Sequence, residues 1–340
     1  MSDPETIENQ GAVASAKEVA PKPTRWQRFK AHMKKWWWVY FIAFGCIILV
    51  VILPIVYVGI PHFADEYINK YQYDYTGLAI TNPRPDAFRV SQSSQLSMGG
   101  GFSGSGHLSP FNATISTSDG REFAVFSVPE IEFSGGAHLS IDQDLDISCV
   151  DCLSEIATSA ATNESYAVVV TGHPDLKIGA LPTAHLNIDK TMKMNGYNVT
   201  EFVNSDGAFN ITSINILKPP VDGYNFNATL VVRNPTPFTV EMGHVTFNLS
   251  MGGSPLGYVD LPNLMLEQNI TTTDVLGQVD ISSLVDAALG SDDLGVVTID
   301  VHGHSCDYNG LDIPYYSAAI RAVSASATVD LLKYASSLFG

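Results

Sequence analysis

The strongest constraint on how this 340-residue chain can fold is an internal repeat. Leu78 to Pro85 reads LAITNPRP, and Leu230 to Pro237 reads LVVRNPTP. Four further landmarks recur in the same order, at offsets of 131 to 134 residues. Val128-Pro129-Glu130-Ile131 matches Leu261-Pro262-Asn263-Leu264, and Asp146-Ile147-Ser148 matches Asp280-Ile281-Ser282. Gly172-His173 matches Gly303-His304, and Ala180-Leu181-Pro182 matches Asp312-Ile313-Pro314. The first pair is offset by 152, so the first copy carries about 19 extra residues near Gly99 to Gly106. The repeat predicts two similar domains, 71–195 and 209–332, each large enough for its own core.

Both copies read as β-structure. Ala167 to Thr171, Asn227 to Val232, Val245 to Leu249 and Val296 to Val301 are short apolar or alternating runs. Gly, Pro, Asn and Asp clusters bound them, which is strand-and-turn chemistry. Two segments keep a helical spacing instead: Cys152 to Ala161 and Ser283 to Leu289. Strands, one short helix, then strands predicts a mainly β fold of two tandem immunoglobulin-like antiparallel sandwiches. Asn82-Pro83 and Asn234-Pro235 are expected to terminate strands at the same corner of each copy. Proline cannot donate to a ladder, and Asn bonds nearby backbone.

Upstream lies a different kind of segment. Residues 36–60 hold no charged side chain, and Lys/Arg residues cluster before them. Twenty-five such residues are long enough for a membrane span. The flanking charge predicts a signal anchor with residues 1–35 as a disordered, basic cytosolic tail and the bulk outside the cytosol.

The remaining composition fits that sidedness. Sequons for N-glycosylation occur at Asn112, Asn163, Asn198, Asn210, Asn227, Asn248 and Asn269, all after residue 60. Residues 1–35 contain seven Lys/Arg and four Asp/Glu, which leaves 11 basic and 31 acidic residues, a net of −20, for the rest. Such a surface repels phosphate backbones, so nucleic acid is not an expected partner. Of the four cysteines, Cys149 and Cys152 form a candidate local disulfide.

A strand ending in Asn-Pro, then Gly-Tyr-Val-Asp-Leu-Pro at 257–262, then Thr271-Thr272-Thr273 before a short helix, resembles the late embryogenesis abundant type 2 domain. The layout is similar to a fungal family of signal-anchored membrane proteins with tandem domains of that kind and no assigned chemistry. The resemblance implies a vacuolar or lysosomal-type membrane or the cell periphery, and a lipid groove in the sandwich.

Catalytic motifs are absent from the sequence. Gly99, Gly101 and Gly104 spell G-x-G-x-x-G, but a loop and strand follow where a dinucleotide site needs a helix. His302, His304 and Cys306 alternate as strand neighbours on one face would. Same-face neighbours on one strand stand about 7 Å apart, too far for one tetrahedral ion, so no metal is expected. No cofactor is expected, and the chain is not expected to be an enzyme. Two binding functions remain: a glycosylated scaffold for protein or cell-wall partners, or a lipid-binding or lipid-transfer module beside a bilayer. An apolar channel of several hundred Å³ would favour the second.

Overall fold

The computed structural model describes residues 77–96, 105–134, 137–199, 201, 209–234, 236, 238–291 and 293–334, and individually Trp26, Lys30, Lys34 and His62. The chain divides into compact units Met1–Ile55 and Val56–Gly340, and every strand and helix below belongs to the second.

The first half runs β1 (Ala79–Arg84), β2 (Ala87–Leu96), β3 (Ser105–Leu108), β4 (Phe111–Ser116), β5 (Glu122–Val128), β6 (Ile131–Ser134) and β7 (Ala137–Asp146). Helix α1 (Val150–Thr162) follows, then β8 (Ser165–Gly172), β9 (Asp175–Ile178), β10 (Ala184–His185) and β11 (Ile188–Asn195). The second half begins with β12 (Phe209–Val221), β13 (Tyr224–Asn234), β14 (Thr239–Met251), β15 (Ser254–Leu266) and β16 (Asn269–Val279). It continues through α2 (Ile281–Gly290), β17 (Val296–Tyr308), β18 (Leu311–Asp312), α3 (Pro314–Arg321), β19 (Ser324–Asp330) and a 3₁₀ turn at Leu331–Tyr334.

The chain is mainly β, as its apolar alternation predicts. Strand β16 shows why: Thr271, Thr273, Val275, Gly277 and Val279 are buried while Thr272, Asp274 and Gln278 face solvent, the period of two that fixes which face meets the core. Tight turns set the hairpins. Asp222-Gly223 between β12 and β13, and Asn309-Gly310 between β17 and β18, take positive φ at both central residues. That geometry matches the twist of the flanking strands, and Asx-Gly supplies it at little cost. The two helices expected from spacing are α1 and α2. Asp280 caps α2 by accepting from the Ser282 and Ser283 backbone N–H groups. Helix α3 was not expected. Its sequence signature is Pro314 in the first turn, with Tyr315, Tyr316, Ala319 and Ile320 all buried.

The halves are knitted together. Among the described residues, fifteen strands make one sheet, ordered β10-β9-β3-β6-β7-β2-β1-β14-β15-β16-β13-β12, with β17 beside β14 and carrying β18 and β19. The join is a short parallel pairing in which Ala79 and Ile80 of β1 face Thr239 and Val240 of β14. Strands β11-β8-β4-β5 form a separate sheet in the first half. In the second half, β12 to β19 all belong to the large sheet. The main core crosses the join: Phe88, Leu145 and Ile147 pack in one cluster with Val245, Ile313, Tyr315 and Ile320. The Asn82 backbone N–H donates to Glu241 Oε2 at 2.7 Å, and Tyr315 OH donates to the Ala87 carbonyl at 3.3 Å.

One expectation is corrected. No helix among the described residues is long and apolar enough to cross a membrane, so the membrane-span and signal-anchor reading finds no support and is set aside. The segment 36–60 and the tail 1–35, apart from three single residues of that tail, lie outside the described residues, as does the glycine-rich run 99–104.

Candidate functional site: an apolar hollow beneath three helices

A hollow of about 610 Å³ lies against the second-half sheet, bounded by helices and by strand residues of β17 (Ile299, Val301) and β19 (Ala325, Ala327, Val329). Its floor comes from alternating residues of β12 to β16, among them Ile211, Ile214, Ala228, Leu230, Val240, Val259, Leu261 and Val275. Its cover comes from α1 (Leu153, Ile156, Ala157, Ala160), α2 (Leu284, Val285, Ala288) and α3 (Tyr315, Tyr316, Ala319, Ile320). Both halves therefore contribute. Close approach of α3 to the sheet depends on Gly303 of β17. A Cβ there would lie 1.7 Å from the Ile320 carbonyl oxygen, well inside contact distance, so only glycine lets the helix end sit so low.

Among the described residues, none that lines the hollow carries a formal charge. Leu289, Leu294 and Leu332 line the hollow and are each more than half exposed, which marks an apolar lip where α2, the 293–295 loop and the 3₁₀ turn meet.

The polar groups of the lining are few and nearly all engaged. Tyr197 OH donates to Asn234 Oδ1 at 2.9 Å, and burial pushes its phenol up to about 12. Thr236 Oγ1 donates to the same oxygen at 2.7 Å. Tyr315 OH reaches Ala87. Tyr166 OH lies 3.5 Å from Met194 Sδ. Tyr316 differs. It is buried against Tyr315, ring centroids 4.6 Å apart, and its hydroxyl has no hydrogen-bond partner among the described residues. Burial raises its phenol well above the ordinary value, so it stays protonated, a donor without an acceptor.

Of the strand-terminator pair, Asn234 is the last residue of β13 and a hub. Its Nδ2 donates to the carbonyls of Phe238, Leu266 and Glu267, and its Oδ1 also accepts from the Thr236 backbone N–H. Asn82 lies inside β1 with φ 48°, beside the fully buried Pro83, and Pro235 lies outside the described residues. The sequon asparagines keep clear of the hollow. Asn112, Asn163, Asn210, Asn248 and Asn269 are exposed, and Asn198 and Asn227 are half-buried. Cys149 and Cys152 form a disulfide at the start of α1.

His302, His304 and Cys306 are not brought together. The β14–β17 register pairs Thr246 with Ser305 and Phe247 with Gly303, leaving His304 as an extra residue in a bulge. A bulge shifts which face later residues occupy. His302 and His304 stay on the solvent face, with His302 Nδ1 3.0 Å from Ser324 Oγ. Cys306 points into the core, where burial raises its thiol to about 12 and its Sγ donates to the Met242 carbonyl.

With that geometry established, comparison with known proteins adds one sequence relationship. Residues 121–249 match a family described as "Protein of unknown function (DUF3712)". The match runs from β5 into β14 and so spans the junction between the halves. It supports neither the late embryogenesis abundant resemblance nor the fungal one. No curated protein matches the chain. Among solved structures, the periplasmic chaperone SfaE is similar at 12% identity over 74% of this chain and 96% of its own, with a TM-score of 0.15. CBD12 from CALX1.2 is similar at 12% identity over 68% and 79%, with a TM-score of 0.17. Superpositions that loose carry no argument about fold or function.

Proposed function

We propose that the folded part of this chain is a non-catalytic binding module for an apolar ligand of lipid type, held in the hollow between the second-half sheet and the three helices. The observation that carries this reading is the hollow itself, about 610 Å³ with an uncharged lining. Ligand pockets fall in the range of about 300–1,000 Å³. Hydrocarbon is the filling that satisfies such walls, because they offer almost no hydrogen bonds to water.

The separate four-stranded sheet of the first half supports an immunoglobulin-like sandwich there. The disulfide and the outward-facing sequons support an oxidising, glycosylating compartment, either a vacuole-type lumen or the cell exterior. A scaffold role for protein or cell-wall partners is the competing proposal, and the hollow favours lipid over it.

Native mass spectrometry of the purified full chain tests the reading. The expected result is a co-purifying apolar ligand that is lost in Ala228→Phe, where the new ring projects from β13 into the hollow. A wild-type protein that never carries or takes up such a ligand overturns the reading.

A further inference from the structure

We propose that the ligand enters the hollow through a leucine-lined mouth at the end of α2, and that the carboxylates around this mouth admit uncharged apolar molecules and turn away anionic ones. This rests on the lipid-binding reading above and specifies the route and the ligand class.

The mouth is located by residues that border both the hollow and the solvent. Among the described residues five leucines are exposed, and three of them, Leu289 at 66%, Leu294 at 60% and Leu332 at 51%, also line the hollow. They stand on three separate segments: the end of α2, the 293–295 loop and the 3₁₀ turn. Backbone hydrogen bonds tie these segments together. Gly295 N–H donates to the Ala288 carbonyl at 2.9 Å, and Leu331 N–H donates to the Gly295 carbonyl at 2.8 Å. Gly295 has φ 89°, and a Cβ there would lie 2.3 Å from Leu332 Cγ, so the Leu332 side chain rests against the loop. A single exposed leucine needs no explanation. Three at one rim of an apolar hollow make a functional patch, an apolar path from the surface inward.

Charge decides what passes. Asp286 lies one turn before Leu289 on α2, and Asp293 adjoins Leu294; both are exposed. Asp330 Oδ1 accepts the Leu332 backbone N–H at 3.1 Å, and Lys333 pairs with Asp330 at 3.9 Å. Three carboxylates against one ammonium leave this rim negative. A carboxylate or phosphate headgroup meets like charge there. Inside, it finds no Lys, Arg or His among the described lining residues. An uncharged chain meets neither barrier.

The test uses the delipidated full chain at pH 8 and two radiolabelled probes of equal chain length, hexadecanol and hexadecanoate. Wild type should take up hexadecanol the faster. Replacing both rim carboxylates, Asp286→Asn with Asp293→Asn, should speed hexadecanoate uptake about tenfold at low salt and leave hexadecanol unchanged. At about 1 M salt, where charges are screened beyond about 3 Å, that gain should vanish. The route is tested with Leu294→Cys, labelled with a bulky hydrophilic maleimide in a Cys46→Ser background. Cys149 and Cys152 are bonded and Cys306 is buried, so the new thiol is the reactive one. The label should slow hexadecanol uptake and release alike, about tenfold or more, with affinity unchanged, because an obstacle on the path acts in both directions. The same label at Leu311→Cys, exposed but not lining the hollow, should alter neither rate. Labelled Leu289→Cys should reproduce the slowing, so a folding defect in one variant leaves the other to decide. If both labelled mouth variants exchange hexadecanol at the unlabelled rate, or hexadecanoate enters wild type as fast as hexadecanol, this inference fails and the lipid-binding reading stands. If wild type binds neither probe, both fail.

Discussion

Asn234→Ala is the most informative single change outside the hollow. The side chain is buried, 4% exposed, at the end of β13. Its amide donates to Phe238 O at 2.9 Å and Glu267 O at 2.9 Å, with a longer contact to Leu266 O at 3.4 Å. Its carbonyl accepts from Thr236 N at 2.9 Å, Thr236 Oγ1 at 2.7 Å and Tyr197 OH at 2.9 Å. Truncation would take this partner from the Glu267 carbonyl, the Thr236 backbone N–H and the Tyr197 hydroxyl, while the Phe238 carbonyl keeps the Thr236 Oγ1 contact at 3.4 Å. At about 1 kcal/mol for each of those three groups left unmet, the loss is about 3 kcal/mol, a large value for a single substitution. The assay is urea unfolding followed by circular dichroism and tyrosine fluorescence, since all four tryptophans lie before residue 39, comparing midpoints at unchanged slope. Asn82→Ala is the control, because at Asn82 the bond across the join comes from the backbone N–H, which alanine keeps. It should cost about 1 kcal/mol or less, from the positive φ alone. Equal losses at the two positions would refute the reasoning, since they would mean that turn conformation, and not the hydrogen-bond hub, sets the cost.

Three further outcomes are expected. Gly303→Ala should destabilise by about 3 kcal/mol or more in the same urea assay, because its methyl would collide with the Ile320 carbonyl and lift α3 from the sheet. The Asp280 carboxyl is held at about 2 by the Ser282 and Ser283 hydroxyls and N–H groups, against an ordinary value of 3.8. The cap's contribution is therefore complete above pH 3.8 and lost as pH falls toward 2. Hydrogen-exchange protection of α2 amides should fall across that window in wild type, and Asp280→Asn should flatten the dependence. Cys306, fully buried with its thiol raised to about 12, should resist a thiol reagent at pH 8 in the native protein and react on unfolding.

Much of the local structure was legible in the sequence. Period-two alternation located β8, β13, β14 and β17, and three- and four-residue spacing located α1 and α2. These signals are local, carried by neighbours in the chain. Helix α3 escaped because Asp312-Ile313-Pro314 was matched to Ala180-Leu181-Pro182, which leads into no helix. The repeat thus concealed a difference between the copies. The alternation of His302, His304 and Cys306 misled for a related reason. A single extra residue in the β14–β17 register reverses the face, and register belongs to two strands, not to one. The hollow was not legible at all. Its walls come from segments as distant as Ile80 and Leu332, and each wall residue alone looks like ordinary core. Only the folded arrangement leaves their side chains short of one another.

The pairing of β1 with β14 has a consequence during synthesis. Ala79 leaves the ribosome 160 residues before its partner Thr239. At about 5–20 residues per second, that strand edge waits on the order of 10–30 seconds with its backbone groups unclaimed along that side. Throughout that interval the nascent chain displays an open template to any other extended segment nearby. Chaperone dependence during translation should accordingly rise when elongation between codons 79 and 239 is slowed, and ease when it is hastened.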